Sequence, residues 1–464
     1  MVNCNLTKLS IIAKKYCFTT YKIGGSYMFW LEFIILLACI FIGARIGGLG
    51  LGVMGGVGIA IFAFIFGLQP ASAPIDVMLM IFAVITAAGA LQAAGGMDYL
   101  VFLAEKALRK HPKWITFIAP MVTYAFTFCA GTGHVAYSVL PVIAEVSRES
   151  GVRPERPMSI AVIASQQAIT ASPISAATVA LLALLADFDI TLLDILMICI
   201  PSTFLGCMIA AFFVSRKGKE LSEDPEYLKR LEEGLEPIKK DRKEYNATTG
   251  SKLSVVLFLL AAVSVVLLGS FEELRPTWEV DGVVTRMSMP VTIEIVMLTI
   301  AALIIIFCKA NVDKIVSGSV FKAGATAVVA IFGIAWMGDT FFQGNAEFIN
   351  GSIADIVTAY PVLFAFALFL LSILLYSQAA TVRTLMPLGV TLGLNPALLI
   401  AMFPAVNGYF FIPNYPTVVA AINFDRTGTT KIGKYLLNHS FMLPGLVATI
   451  AAISIGLLLS SILL

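Results

Sequence analysis

The chain has 464 residues, 59% of them hydrophobic and 13% charged, with a mean hydropathy of +0.91. That balance excludes a soluble globular protein, and a formal net charge of +2 gives no electrostatic footprint for nucleic acid. Seven cysteines without paired spacing read as small core residues, and three scattered histidines make no metal site, so no cofactor is expected.

Apolar stretches long enough to cross hydrocarbon as helices recur along the whole sequence. They predict an all-α polytopic membrane protein with about 10–12 transmembrane helices. Residues 1–28 are an N-terminal extension carrying Lys8, Lys14, Lys15 and Lys22 but no apolar core with a small-residue cleavage site, so no cleavable signal is read. Met28 is an alternative start, which leaves open whether residues 1–27 are translated. Spans follow at 29–44, 47–68 and 77–94, with Trp30 as an interfacial anchor. Glycine runs such as Gly52…Gly55-Gly56 suit close helix packing.

Residues 96–114 form a basic amphipathic connection with Lys106, Arg109, Lys110 and Lys113. Residues 115–145 are mostly apolar but interrupted at Gly131-Thr132-Gly133, and the next loop carries Arg148, Arg153 and Arg156. Basic loops favour the cytoplasm. A single crossing would put these two on opposite sides, so a re-entrant hairpin with its tip at Gly-Thr-Gly is expected. Spans at 159–185 and 190–214 complete a first repeat, 29–214. Residues 215–251, rich in both charge signs, read as a cytoplasmic linker, partly helical and solvated. The second repeat, 252–464, shows spans near 253–270, 291–308, 323–341, 361–390, 394–415 and 441–463. The loops 271–290 and 342–360 read as external, and both termini should lie on that side. Charge alone leaves open whether the repeats are inverted or parallel, with inversion expected.

Two polar interruptions organise this pattern. Ser165-Gln166-Gln167-Ala168-Ile169-Thr170 runs on to Ser172-Pro173-Ile174-Ser175, and Ser377-Gln378-Ala379-Ala380-Thr381 reaches Met386-Pro387. Each follows a glycine break, Gly131-Thr132-Gly133-His134 or Gly338-Asp339-Thr340, and each precedes an Ile-Pro pair, Ile200-Pro201 or Ile412-Pro413. Similar spacing in both halves argues for a duplicated unit. Paired helix breaks in a membrane chain point to a transporter's binding site.

The stock at these breaks suits an anion. Half-helix N-termini present free N–H groups and a positive dipole end, and neutral side chains add donors that release the ligand again. The candidates are Gly131, Thr132, Gly133, His134, Gln166, Thr170, Ser172, Pro173 and Ser175 in one half. In the other they are Gly338, Asp339, Thr340, Ser377, Gln378, Thr381, Arg383, Asn407 and Asn414. Two quasi-equivalent clusters fit a small dicarboxylate, one carboxylate each. Arg383 either pairs with a carboxylate or snorkels to the surface. His134 either carries a proton or bonds a freed carbonyl, and Asp339 either caps a helix or binds a cation or a partner. No Walker lysine motif, nucleophile elbow or helix-borne histidine pair supports catalysis or ATP-driven pumping.

Ala130-Gly131-Thr132-Gly133-His134, Leu140-Pro141-Val142-Ile143, Arg153-Pro154-Glu155-Arg156-Pro157, Ala171-Ser172-Pro173-Ile174-Ser175, Gly333-Ile334-Ala335-Trp336-Met337, Ser377-Gln378-Ala379-Ala380 and Gly428-Thr429-Thr430 resemble the Dcu family of anaerobic C4-dicarboxylate transporters of bacteria. The resemblance covers about 29–464 and mixes A-type and B-type features. It implies a secondary transporter of fumarate, succinate, malate and aspartate in the bacterial inner membrane, with fumarate–succinate antiport as the typical mode. It also implies inverted repeats and elevator-like motion. The dicarboxylates and membrane lipid are the expected partners, and homo-oligomerisation is left open. The competing readings are an H⁺- or Na⁺-coupled carrier of another organic anion, an anion channel, and a membrane receptor subunit.

Overall fold

The computed structural model describes residues 25–46, 49–73, 75–234, 246–280, 283–346, 348, 359–375, 377–413, 415–433 and 437–464. Residues 1–24 of the extension, Asn414 and all of 349–358 lie outside the described residues.

The first half contains α1 (Gly25–Ile46), α2 (Gly50–Ala60, continued by a π-turn to Ile65), α3 (Ile75–Ala93) and α4 (Gly96–Lys110). It goes on through α5 (Ile115–Ala130), α6 (Ala136–Glu149), α7 (Glu155–Gln167), α8 (Ala176–Leu184) and α9 (Leu192–Ser215). Between halves lies the short α10 (Pro225–Glu232). The second half contains α11 (Thr249–Ser270), α12 (Met289–Cys308), α13 (Val312–Ser317) and α14 (Ser319–Gly344). After them come α15 (Pro361–Leu375), α16 (Gln378–Thr391), α17 (Pro396–Met402, running on as 3₁₀ to Phe410), α18 (Pro416–Phe424) and α19 (Met442–Leu463). A small antiparallel ribbon, β1 (Thr277–Val280) with β2 (Val283–Arg286), is the only sheet among the described residues.

The expected all-α polytopic architecture is present. Five stretches, Pro112–Ala130, Leu192–Ser215, Thr249–Gly269, Met289–Cys308 and Met442–Leu463, are long and apolar enough to cross a bilayer. Shorter apolar helices fill in around them. α4 bends 71° away from α3 at Gly95, whose left-handed backbone (φ 77°) turns the chain onto its amphipathic course.

The helices form two groups. α1, α2, α3, α11, α12 and α14 pack into one bundle, while the interrupted helices gather around α9 and α19. The glycine runs do what packing requires of them. A Cβ at Gly52 would strike the Val329 carbonyl and one at Gly333 the Gly52 carbonyl, so α2 and α14 touch backbone to backbone.

The first hairpin is re-entrant as expected. Arg109, at the end of α4 and just before α5, bonds Glu145 (3.3 Å) and Glu149 (2.6 Å) near the end of α6. Entry and exit therefore share a face. The second half departs from expectation. Residues 361–390 are a second hairpin and not a span: Gly389, near the end of α16, packs on Phe364, near the start of α15. At 15 and 14 residues each arm reaches only about 22 Å, short of the roughly 30 Å core. Residues 394–415 likewise are not a plain span but half of a broken helix, disrupted where Pro404, Gly408, Pro413 and Pro416 crowd together.

One expected break is absent: Gly338-Asp339-Thr340 lies inside continuous α14, while Ile200-Pro201 lies inside continuous α9, in keeping with a span at 190–214. Around Pro201 the Ser202 and Thr203 hydroxyls donate to the Cys199 carbonyl (3.2 and 2.6 Å), and Tyr124 donates to the Ile200 carbonyl (3.3 Å). Gly338 is a contact glycine whose Cβ would come within 2.9 Å of Thr384. The interruptions that match are the hairpin tips, at 131–135 and at Ser377, and the helix breaks, at 168–175 and at 411–413 with Tyr415.

α9 ends beside the start of α19, where Lys217 Nζ donates to the Ser440 carbonyl (3.3 Å), so these two packed helices run antiparallel. The loop 150–156, the linker start and the loop 425–440 thus share one face. The start of α1 lies at the other end of the bundle, where Glu32 accepts from Asn345 (2.7 Å) beyond the end of α14.

Candidate functional site

All four interruptions converge. At the tip of the second hairpin Gln378 Nε2 donates to Gln166 Oε1 (2.9 Å) at the end of α7 and to Asn407 Oδ1 (3.2 Å) in the second broken helix. Asn407 Nδ2 donates to Gln167 Oε1 (3.1 Å), and Gln167 Nε2 to Thr449 Oγ1 (3.0 Å) in α19. The first hairpin closes the set, because the Gln166 amide lies directly against Gly133 where no side chain would fit. Five uncharged side chains from both halves thus form one buried chain of amides and a hydroxyl. Gln166 also meets the Tyr415 hydroxyl just before α18, and the buried Thr127, Thr384 and Thr417 hydroxyls, on helices beside the interruptions, are unsatisfied.

Local sequence explains the positions. Asn407 occupies a kink (φ −100°, ψ 32°) in the 3₁₀ segment, whose amide at Gly408 is satisfied by Ser372 Oγ of α15 (2.8 Å). Ser377 and Ser175 are N-caps, accepting from Ala380 and Thr178 backbone amides. Four helices, α6, α8, α16 and α18, begin at the four interruptions, so four positive dipole ends stand where an anion would be held.

The other sequence candidates divide. Thr170, Ser172, Ser175 and Thr381 are fully buried beside the chain, yet their hydroxyls serve carbonyls of Gln167 (2.8 Å), Phe128 (2.7 Å), Ile169 (2.6 Å) and Ser377 (2.9 Å). They hold the broken backbone in shape. Gly131 turns the first tip with φ 69° and packs against Ile174, next to Pro173. Thr132 lines an apolar cavity between this tip, α3 and α14. His134 lies in the 3₁₀ turn after the tip, and its side chain, like Asn414, is outside the described residues.

Gly338, Asp339, Thr340 and Arg383 stand apart. Asp339 is in mid-helix and so does not cap. It faces a cavity shared with Gln343, Pro387 and Thr391, within electrostatic reach of Arg383. Thr340 Oγ1 accepts from Ala71 (3.1 Å) and donates to Trp336 (2.7 Å), joining α14 to the segment before α3. Among the described residues no three His, Cys, Asp or Glu side chains cluster within reach of a metal ion.

Gln167 and Thr449 belong to the chain more directly than several of the candidates. Gln167 was legible as part of the Ser-Gln-Gln run. Thr449, a lone hydroxyl in an apolar helix, gave no periodic or motif signal.

The linker is docked at the face where the first hairpin opens, and is not a solvated tether over 216–232. Arg153 bonds Glu155 (2.7 Å) and Asp224, and Lys217 bonds Glu155 (2.9 Å). The Arg153, Glu155 and Asp224 side chains are 8%, 6% and 7% exposed, so this is a buried cluster. Burial pushes both carboxyls up, but Lys217 and Arg153 hold Glu155, and the α10 amides with Arg153 hold Asp224, below their ordinary values.

An all-α polytopic membrane protein whose hairpin tips and broken helices meet at a neutral polar centre has the build of a membrane transporter, not of an enzyme. A structure of MtrF from Neisseria gonorrhoeae, described as illuminating a class of antimetabolite efflux pumps, shares the fold with a TM-score of 0.55 at 13% identity, over 86% of this chain and 83% of that one. The family profile described as "Anaerobic c4-dicarboxylate membrane transporter" matches residues 28–464. The chain is 45% identical over 433 residues to the C4-dicarboxylate transporter DcuA of Wolinella succinogenes, covering 93% of this chain and 99% of that one. It is 45% identical to DcuA of Escherichia coli K12, over 94% and 100% of the two chains, and 42% identical to DcuB of an E. coli O6:H1 strain, over 90% and 96%. The chain belongs to the anaerobic C4-dicarboxylate transporter family, and it is a membrane transporter.

Proposed function

We propose that this protein is a secondary carrier exchanging C4-dicarboxylates, with fumarate and succinate as the working pair and malate and aspartate as further substrates, across the bacterial inner membrane. The observation that carries this reading is the meeting of Gln166, Gln167, Gln378 and Asn407, from both halves, at the starts of four half-helices. Moving a dianion into the bilayer centre costs several kcal/mol at least. Backbone amides and neutral side chains offset that cost without trapping the ligand, as a charged clamp would. Carboxylates held between the two hairpin tips would contact the Gly131–His134 turn and Gln166 on one side and the Ser377–Gln378 turn with Asn407 on the other, with Thr170, Ser172, Ser175 and Thr381 shaping the backbone. Arg383 and Asp339 belong to the approach along α16.

The linker 215–251 is assigned to the cytoplasm on the basic character of the loops that share its face, which places both termini in the periplasm. Exchange of one dianion for another is electroneutral and requires no coupling ion.

The test is counterflow in proteoliposomes. Internal succinate accelerates uptake of labelled fumarate with no imposed gradient, and Gln378→Ala with Ser172→Ala removes the effect. Uptake that depends on an imposed pH or sodium gradient instead would establish the coupled carrier, and uptake insensitive to internal succinate a channel.

A further inference from the structure

The amide chain has a direction, and its far end lies in a helix that contributes nothing else to the centre. The Pro404 carbonyl can only accept, so Asn407 Nδ2 must face it (3.2 Å) together with Gln167 Oε1 (3.1 Å). Asn407 Oδ1 is thereby turned to Gln378 Nε2 (3.2 Å), and Gln378 Nε2 takes Gln166 Oε1 as its other acceptor (2.9 Å). With Gln167 Oε1 occupied, Gln167 Nε2 needs an acceptor in a site buried from water. Thr449 Oγ1 supplies it at 3.0 Å, 2% exposed in the middle of α19. At the other end of the chain the Gln166 amide lies between the first hairpin tip at Gly133 and the Tyr415 hydroxyl.

We propose that Thr449 is a positioning residue for the transported anion: acting through Gln167 and Asn407, its hydroxyl supplies the acceptor that lets the amide chain hold the direction set by the Pro404 carbonyl, with Gln378 and Gln166 placed for a carboxylate. The inference rests on the reading that the amide chain binds the dicarboxylate. Thr449 itself never reaches the substrate. Without its hydroxyl, Gln167 Nε2 is stranded. A half-turn of that amide would set Nε2 against Asn407 Nδ2, donor against donor, so the strain passes down the chain to Gln378 and Gln166.

The test compares Thr449→Val, which keeps the shape and removes the acceptor, with Thr449→Ser, which keeps the acceptor. In succinate-loaded proteoliposomes Thr449→Val raises the KM for fumarate by about tenfold with the maximal rate within about threefold, and Thr449→Ser stays near the parent. A packing role would lower the amount of folded protein or the maximal rate and leave KM in place. Fumarate-induced thermal stabilisation in detergent gives the same comparison without vesicles, and Thr449→Ala replaces the valine variant if that one does not fold. Combined with Asn407→Ala, the valine change adds less than its effect alone, because both act through one chain. A parental KM in Thr449→Val while Gln378→Ala raises it overturns the inference and spares the proposed function; parental KM in both variants overturns the binding reading itself.

Discussion

Gly133→Ala separates the fold from the site. A methyl group at this tip would land on the Gln166 amide, closer than any real contact, yet nothing in the backbone is in its way. The obstacle is the far end of a flexible side chain, so Gln166 swings aside and the hairpin survives. What is lost is the bond from Gln378 Nε2 to Gln166 Oε1 (2.9 Å) and the placement of Gln166 Nε2. Leaving one buried polar group unsatisfied costs about 1–3 kcal/mol, which is about 5-fold to about 150-fold in an equilibrium constant. Counterflow in succinate-loaded vesicles should therefore show the fumarate KM raised within that range, with a detergent melting profile near the parent. Gly333→Ala is the contrast: its methyl group would collide with the Gly52 backbone, so it should lower the yield of folded protein. Parental fumarate KM in well-folded Gly133→Ala would refute the placement of the first hairpin tip at the site.

Further outcomes follow from the same contacts. Removing one partner of the buried Arg153–Asp224 pair, as in Asp224→Asn, should cost about 3–5 kcal/mol in denaturation, whereas Arg109→Gln, at a fork 23% exposed, should cost less than about 1 kcal/mol. Because Glu155 and Asp224 titrate below their ordinary values of 4.5 and 3.8, their contribution is complete above those values and lost as pH falls through the lowered ones. The melting temperature should be flat from neutrality to about pH 5, fall in stronger acid, and fall less steeply in Asp224→Asn. Pro201→Ala, inside a continuous helix, should retain exchange and melt no lower than the parent, since it restores a backbone donor; loss of exchange would make Pro201 a functional break.

Much of the site was legible because its physics is local. Gly131-Thr132-Gly133 interrupts an apolar run and Ser172-Pro173 ends a helix, both where the local sequence disfavours helical backbone. Basic loops on either side of 115–145 require both its ends on one face, in agreement with the Arg109 contacts. The second half was harder to read. Residues 361–390 are mostly apolar, and hydropathy does not distinguish one tilted span from two arms folded back beside the Ser377 cap. Gly338 carries the composition of a break, yet it lies in a continuous helix as a contact glycine against Thr384.

The sequence by itself determined that this chain lives in lipid, that it is built in two halves, and where neutral donors are concentrated, because hydropathy and helix-breaking chemistry act over a few residues. Only the tertiary structure decided which interruptions meet, that α9 and α19 run antiparallel, that Asp224 of the linker is held by a buried charge, and that Thr449 closes the amide chain. These depend on contacts between residues up to 282 positions apart, where side chains meet because helices pack and not because any local pattern requires it.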